Sequence, residues 1–218
     1  MRALIDARPA LDPRRTGVGR YTERLLAHLP AADPDGTYVA WYLHARGLLR
    51  PRRFFDEVEG LEESASRFPA RVFGPLSIRL GWPRVRVPFD ALLATNFLPP
   101  HTTRRGVVLV VHDLAFDRFP ETAPHHDARW RRRFEGWLAK ADGVIAPSNA
   151  TRGDLATVHG VDPGRVDVVP LGADPFVAPP PRAAAAARGR IGIGARPYAL
   201  YVGGLEARKN LDALVRAF

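Results

Sequence analysis

The sequence predicts an α/β protein built on a Rossmann-like parallel sheet with flanking helices. Short β-rich runs alternate with helical segments of about ten residues or more, the pattern of β-α-β units. The runs are almost continuously apolar, as expected for strands of a parallel sheet that is covered on both faces. The chain has 218 residues, of which 46% are apolar and 25% charged, so it is long enough and apolar enough to bury a core.

The first part of the chain contains two clear strands around one clear helix. Residues 3–5 are the first predicted strand, and residues 37–43 the second. Between them, residues 18–29 place apolar side chains three and four positions apart, which predicts an amphipathic helix. Residues 44–88 mix arginine, proline and aromatic side chains, and only residues 71–73 are predicted there as a strand.

The next part alternates regularly between strands and helices. Strands are predicted at 89–94, 107–111, 143–146 and 165–169, and helices at 128–139 and 149–159. Ser148 precedes the second of these helices and is expected to cap its N-terminus. Residues 1–174 are therefore assigned to one Rossmann-like domain.

A change of composition marks the end of that domain. Residues 175–197 are rich in proline, alanine and glycine and are predicted as an interdomain connection containing one short helix. Residues 198–203 are predicted as the first strand of a second α/β domain, and residues 210–218 as the start of its first helix. One strand and one helix cannot bury their apolar faces alone. The sequence is therefore expected to be the front part of a longer protein, in which residues 198–218 are a truncated second Rossmann-like domain.

Charge and cysteine content limit the classes of function. The formal net charge of +9 favours anionic partners such as nucleotides, phosphorylated metabolites or anionic lipid surfaces. The absence of cysteine excludes disulfide scaffolds, thiolate metal sites and cysteine nucleophiles. No signal peptide and no long apolar run are found, which predicts a cytoplasmic protein and leaves a peripheral contact with the inner face of a membrane open.

A glycine bend opens the first predicted helix. Gly17, Val18 and Gly19 lie where the free amides of the first helical turn favour an anion, so this bend is a candidate phosphate site. A dinucleotide fingerprint would require a third glycine at position 22, where Thr22 stands, so NAD binding is disfavoured. The alternative is a glycine turn that only leads the chain into the helix.

His112 and Asp113 directly follow the apolar strand at 107–111. Ligands of open parallel sheets bind at the carboxyl ends of strands, so both side chains are candidate catalytic groups. The alternatives are a loop histidine with a capping aspartate, or a metal site that adds His125, His126 and Asp127. That spacing matches no zinc signature, so no metal is predicted.

Two cations follow a pair of glycines near the end of the sequence. Arg208 and Lys209 precede the last predicted helix and could hold a diphosphate together with its N-terminus. The pattern is not a P-loop, and no nucleophile elbow of a serine hydrolase is present.

The helix at 128–139 combines aromatic and basic side chains. Trp130, Phe134 and Trp137 fall on one helical face, with arginines around them. Such a helix can lie on an anionic membrane or a phosphate backbone, or its aromatic face can pack on the sheet with the arginines in solvent.

Taken in order, these segments resemble the retaining glycosyltransferases of family 4, which have the GT-B fold. The matching stretches are IDARP (5–9), TGVGRYTERLL (16–26), TNFLPP (95–100), VVHDLAF (110–116), ADGVIAPSNATRGDL (141–155), RVDVVPLGAD (165–174) and YVGGLEARKNLDALVRAF (201–218). The resemblance implies two Rossmann-like domains, the first binding the acceptor and the second the nucleotide-sugar donor. It identifies this chain as the N-terminal half of such an enzyme, with little activity expected alone.

The resemblance also implies roles for single residues. The loop of Gly17, Val18 and Gly19 would lie near the phosphates and reacting sugar of the nucleotide-sugar donor, and His112, with Asp113 beside it, would contact the sugar. Lys209 and Arg208 would neutralise the departing diphosphate. No cofactor or metal is implied, because the nucleotide-sugar is a substrate. A sugar of mannosyl type and a glycan or lipid-linked acceptor are expected, and nucleic acid is not an expected partner.

Two other functions stay open at this point. The basic composition would also suit a non-catalytic α/β module that binds nucleic acid, although no RNA-binding signature is present. A metal-dependent phosphohydrolase could be built on His112 and Asp113.

Overall fold

A seven-stranded parallel sheet organises the part of the chain that the structure, a computed structural model, describes: residues 1–13, 16–43, 54–66, 84–122 and 126–218. The strands lie in the order β3-β2-β1-β4-β5-β6-β7. They are β1 (Arg2–Asp6), β2 (Thr37–Leu43), β3 (Leu61–Ser66), β4 (Ala91–Ala94), β5 (Val107–Val110), β6 (Gly143–Ala146) and β7 (Val166–Val168). The predicted Rossmann-like α/β fold is confirmed.

The strand order contains a switch point between β1 and β4. From β1 the chain builds outward to β2 and β3, and it then returns to the other side of β1 to add β4 and the strands beyond it. In open parallel sheets, the connections leaving the carboxyl ends at such a point diverge and leave a crevice, which is where ligands bind. The fold therefore predicts a site beside the ends of β1 and β4.

Helices flank the sheet, and three of them begin at a side-chain cap. Among the described residues they are α1 (Gly17–Ala32), the single turn α2 (Ala115–Arg118), α3 (Ala128–Lys140), α4 (Asn149–His159), α5 (Pro181–Arg190) and α6 (Leu211–Ala217). Ser148 caps α4 by accepting a hydrogen bond from the Thr151 amide at 3.2 Å, which confirms the predicted cap. The described part of the chain contains no helix that has both the length and the apolarity to cross a bilayer.

The core has two apolar layers because successive residues of a strand point to opposite faces of the sheet. Leu4 of β1 belongs to the layer that α3 and α4 cover through Phe134 and Leu155. Ile5, the next residue, belongs to the opposite layer, which α1 covers through Leu26. All five of these side chains are fully buried, and this explains why β1 and its neighbours are apolar throughout.

The structure corrects two of the sequence-based assignments. Strand β3, with the sequence LEESAS, is absent from the predictions because its polar composition is that of an edge strand with only partly buried residues. The strand predicted at 198–203 is wrong: this segment is irregular, and Leu200 and Val202 are 74% and 85% exposed. Its backbone has no neighbouring strand to bond to among the described residues. The strand predicted at 71–73 lies outside the described residues.

Candidate functional site

A cleft of about 1010 Å³ opens at the carboxyl ends of β1, β4 and β5, at the switch point of the sheet. Three segments that follow these strands line it, and the start of α1, the helix α3 and residues 205–208 complete the walls. The lining includes the side chains of Arg8, Val18, Phe97, His112, Trp130 and Arg208.

His112 lies just beyond the end of β5, and its ring is held in one orientation. The Nε2 atom is 2.9 Å from the carbonyl oxygen of Thr95, which lies just beyond the end of β4. Because a carbonyl can only accept, Nε2 carries the proton and donates it. The ring of Tyr21, from α1, meets the imidazole edge-on at a centroid distance of 5.0 Å. In the neutral imidazole, Nδ1 is left as a hydrogen-bond acceptor beside the cleft.

Asp113 reaches the rim of the same cleft but is engaged locally. Its Oδ1 accepts a hydrogen bond from the Ala115 amide at 2.9 Å, at the start of the short helix α2. The sequence left this capping role open as an alternative. The structure brings Asp113 to the cleft wall as a capping residue next to His112.

The glycine bend combines two glycines with different surroundings. Thr16 caps α1 by accepting from the Gly19 amide at 3.1 Å, and Val18 lines the cleft. Gly19 is buried, and a Cβ atom on it would lie 2.7 Å from the carbonyl oxygen of Pro9. Gly17 is exposed, and nothing lies within 4 Å of the position of its missing Cβ. Gly19 is thus explained by packing, whereas the backbone of Gly17 is open to a ligand.

The two cations predicted near the end of the sequence are placed differently. Arg208 lines the cleft, and its Nε lies 2.5 Å from Oε2 of Glu206. Lys209 is the last residue of the short turn Ala207–Lys209, is exposed, and is not part of the cleft lining. The cleft therefore brings together Val18, His112, Asp113 and Arg208 from the predicted site residues, with Gly17 adjoining it.

Asp6 and Arg8 are functional candidates that the sequence reasoning did not single out. Asp6 ends β1 and is fully buried, and it accepts two hydrogen bonds from the Arg8 side chain, at 2.6 and 2.8 Å. Arg8 also donates to the carbonyl of Leu98 at 2.8 Å and lies over the ring of Trp41 at 5.5 Å. Burial would lower the pKa of Arg8, but the charge and hydrogen bonds of Asp6 outweigh it, so the pKa is raised. A fixed positive charge thus stands in the cleft wall.

More positive charge lies beside that wall. Burial and the charges of Arg133, Arg8 and Arg84 lower the pKa of His101. Burial and the charges of Arg129 and Arg8 lower the pKa of Arg133 in the same way. We call Arg8, Arg84, Arg133 and His101 the arginine cluster.

Aromatic rings form another wall of the cleft. Phe97 meets Trp130 and Phe134 at centroid distances of 5.6 and 5.7 Å, and Phe134 is fully buried. The aromatic face of α3 therefore packs on the sheet, and only Trp130 is left half-buried at the cleft. Arg131 does not face solvent as a free cation, since it pairs with Asp117 and lies over Phe116.

His125, which a metal site could also recruit, lies outside the described residues, and the described ones hold no group of three metal-binding side chains.

The chain is similar to known proteins over much of its length. The family model Glycosyltransferase Family 4 matches residues 15–175 of the chain. A D-inositol 3-phosphate glycosyltransferase of Kineococcus radiotolerans is 40% identical over 78 residues, which are 35% of this chain and 18% of that protein. A protein with the same name from Salinispora arenicola is 37% identical over 86 residues, which are 37% of this chain and 19% of that protein. Another from Nocardia farcinica is 37% identical over 81 residues, which are 37% of this chain and 18% of that protein. The matched segments span about a fifth of the length of these relatives.

Proposed function

Because the chain belongs to glycosyltransferase family 4, we propose that it serves in the transfer of a sugar from a nucleotide-sugar donor to a hydroxyl group of an acceptor. The main support for the proposal is one observation: Val18 of the glycine bend, His112 and Arg208 all line the cleft at the switch point of the sheet. Each of these groups suits one part of a nucleotide-sugar. We propose a glycan or lipid-linked precursor as the acceptor and a sugar of mannosyl type.

The chemistry requires stabilisation of two developing charges. The bond between the anomeric carbon and the diphosphate oxygen breaks, leaving positive charge on the sugar and negative charge on the departing diphosphate. The acceptor oxygen forms the new bond, and its proton passes to the leaving phosphate oxygen. Fixed positive charges aimed at the leaving group are the main way in which a protein lowers such a barrier.

We assign the diphosphate to the positive end of α1 and to Arg208, with Lys209 beside it. The N-terminus of a helix carries a partial positive charge, and Gly17 leaves its backbone accessible there. Arg208 is a cleft residue that now pairs with Glu206. We assign no metal or cofactor to the reaction, because these groups provide the charge that the leaving diphosphate needs.

We assign His112 to the sugar. Its Nε2 proton is committed to the Thr95 carbonyl, so Nδ1 is the atom that can accept a hydrogen bond from a sugar hydroxyl. We propose transfer with retention and without a covalent enzyme intermediate. Three carboxylates of the cleft wall are each engaged by another group and are therefore poor nucleophiles: Asp6 is bonded to Arg8, Asp113 accepts from the Ala115 amide, and Glu206 is paired with Arg208.

The experiment is transfer of labelled sugar by the protein from UDP- and GDP-linked donors. Acceptors would be lipid-linked glycans and D-inositol 3-phosphate, the compound in the names of the relatives. His112→Ala should lower the transfer rate about 100-fold, as loss of a positioned polar group at a reacting centre does. His28→Ala removes an exposed histidine of α1 and should leave the rate unchanged. Equal rates for the two variants would contradict the role of His112, and failure of the protein to bind any of the nucleotide-sugars in a titration would contradict the proposal.

A further inference from the structure

Side chains tie the segment that follows β4 to the end of β1 at two places. At its start, the Thr95 hydroxyl donates a hydrogen bond to the Asp6 carbonyl at 2.7 Å. Further along, the Arg8 side chain donates to the Leu98 carbonyl at 2.8 Å. Residues 96–98 line the cleft. The connection out of β4 is therefore held beside β1 at the switch point, where such connections otherwise diverge.

Thr95 lies just beyond the strand pairing on both of its sides. The register of β4 with β1 ends at Leu93, and its register with β5 ends at Ala94. Beyond these pairs, hydrogen bonds of side chains join the three strand ends. The Thr95 hydroxyl donates toward β1, and the Thr95 carbonyl accepts from Nε2 of His112, which follows β5. One residue thus connects the end of β1 to the imidazole.

The hydroxyl explains why a threonine stands at this position. Thr95 is fully buried, and a buried hydroxyl needs a partner inside the protein. Valine has nearly the same shape but cannot donate a hydrogen bond, so it would leave the Asp6 carbonyl without this partner. The carbonyl that receives the His112 proton belongs to the same residue as the hydroxyl. A restraint on the Thr95 side chain is therefore also a restraint on the position of that carbonyl.

We propose that Thr95 is a positioning residue, whose hydroxyl fixes the carbonyl that keeps the proton of His112 on Nε2 and leaves Nδ1 as the acceptor beside the cleft. The partner of one ring nitrogen decides which nitrogen of a neutral histidine carries the proton. The inference rests on the proposed function in one respect, that Nδ1 accepts from a hydroxyl group of the donor sugar. Thr95 itself is fully buried and acts only through His112.

The test is nitrogen-15 NMR of the histidine rings without a ligand, at about pH 8.5, where an ordinary imidazole is neutral. The two neutral tautomers differ in their nitrogen shifts, and the signals of His112 are assigned by their loss in His112→Ala. We expect the Nε2–H tautomer alone in the parent protein. Thr95→Val should convert it into a mixture of both tautomers. Thr95→Ser keeps the hydroxyl and should keep the parent spectrum.

Thr22→Val is the matched control. Thr22 is also fully buried, and its hydroxyl also donates to a backbone carbonyl, that of Val18, at 2.9 Å. Its replacement removes a buried hydroxyl elsewhere and should leave the spectrum of His112 unchanged.

A binding titration provides the second measurement. Thr95→Val should weaken binding of UDP- or GDP-linked sugars about fivefold, the contribution of one hydrogen bond, and change binding of UDP or GDP alone less than about twofold. The difference is expected because His112 is assigned to the sugar and other groups to the diphosphate. Equal losses for the nucleotide-sugar and the free nucleotide would overturn the inference.

The NMR outcomes separate this inference from the proposed function. An Nδ1–H tautomer in the parent protein would overturn the role of Thr95, whether or not Thr95→Val folds. A spectrum unchanged in Thr95→Val, or changed equally in Thr22→Val, would overturn it as well. If the parent binds no nucleotide-sugar, the proposed function fails, whereas a tautomer that depends on Thr95 still supports the positioning of His112.

Discussion

The two glycines of the bend should respond in opposite ways to an added methyl group. In Gly19→Ala, the new Cβ would lie 2.7 Å from the Pro9 carbonyl oxygen, closer than the 3.0 Å limit that real Cβ atoms respect. Both partners are backbone, one in α1 and one in the turn after β1, so neither can rotate away. In Gly17→Ala, the methyl group enters open space.

The magnitudes follow from two opposing effects. Overpacking costs about 1–3 kcal/mol, and a clash with a backbone atom that cannot move aside lies in the upper part of that range, at about 2–3 kcal/mol. Alanine is favoured over glycine inside a helix by about 1 kcal/mol, which offsets part of that cost at position 19. The free energy of unfolding of Gly19→Ala should therefore fall by about 1–2 kcal/mol, which lowers Tm by about 2–8 °C for a chain of this size. The stability of Gly17→Ala should be unchanged or slightly higher.

Urea unfolding followed by circular dichroism measures the stability of both variants. A nucleotide-sugar titration measures their affinity for the donor. If the open backbone of Gly17 contacts the diphosphate, Gly17→Ala weakens that binding without destabilising the fold. Gly19→Ala as stable as the parent, or Gly17→Ala less stable than Gly19→Ala, would refute the reasoning about the bend.

Three further predictions concern charged groups. Asp6→Ala leaves the Arg8 charge without its carboxylate. Because Arg8 is one-third exposed, we expect the free energy of unfolding, measured in urea, to fall by about 2–3 kcal/mol, at the low end for a broken buried pair. Hydrogen bonds from two backbone amides hold the pKa of Asp142 below its usual value. The contribution of Asp142 to stability is therefore present above the unfolded-state pKa and is lost as the pH falls through the lower, folded-state pKa. A carbon-13 NMR titration of the carboxyl group checks this. Burial and nearby arginines lower the pKa of His101, and Arg133→Gln should raise it toward its usual value in a proton NMR titration.

Each of these has a matched control or a contradicting outcome. Asp35→Ala removes an exposed aspartate and should barely change the free energy of unfolding. A carboxyl group of Asp142 that titrates at or above the ordinary value for aspartate would contradict the second prediction. A shift in the pKa of His101 that is as large in Arg132→Gln as in Arg133→Gln would contradict the third.

The sequence predicted those strands whose apolar composition indicates that they are buried. Strand β2 and strand β6 have the predicted bounds, because apolar side chains of β2 fill both layers of the core and those of β6 fill one. Strand β3 was missed because its polar side chains lie at the sheet edge, and the strand at 198–203 was predicted from apolar residues that are exposed in the structure. Local composition cannot show whether a neighbouring strand is present.

The site was predictable to the extent that it depends on strand ends. His112 directly follows an apolar strand, so the sequence could place it at the carboxyl edge of the sheet. The pair of Asp6 and Arg8 also follows such a strand, and this signal was available. Their partner carbonyl in Leu98 is 90 residues away in sequence, however, and the arginine cluster combines residues from three separate segments. Contacts of that range depend on the folded chain and are not visible as a local motif.

Hydrogen exchange with and without bound nucleotide-sugar tests the central claim most directly, because it maps where the ligand contacts the backbone. We expect UDP- or GDP-linked sugars to slow exchange in three peptides of the cleft, around Gly17, around His112 and around Arg208. Slowed exchange confined to other parts of the chain, with these three peptides unchanged, would contradict the assignment of the cleft to the nucleotide-sugar donor.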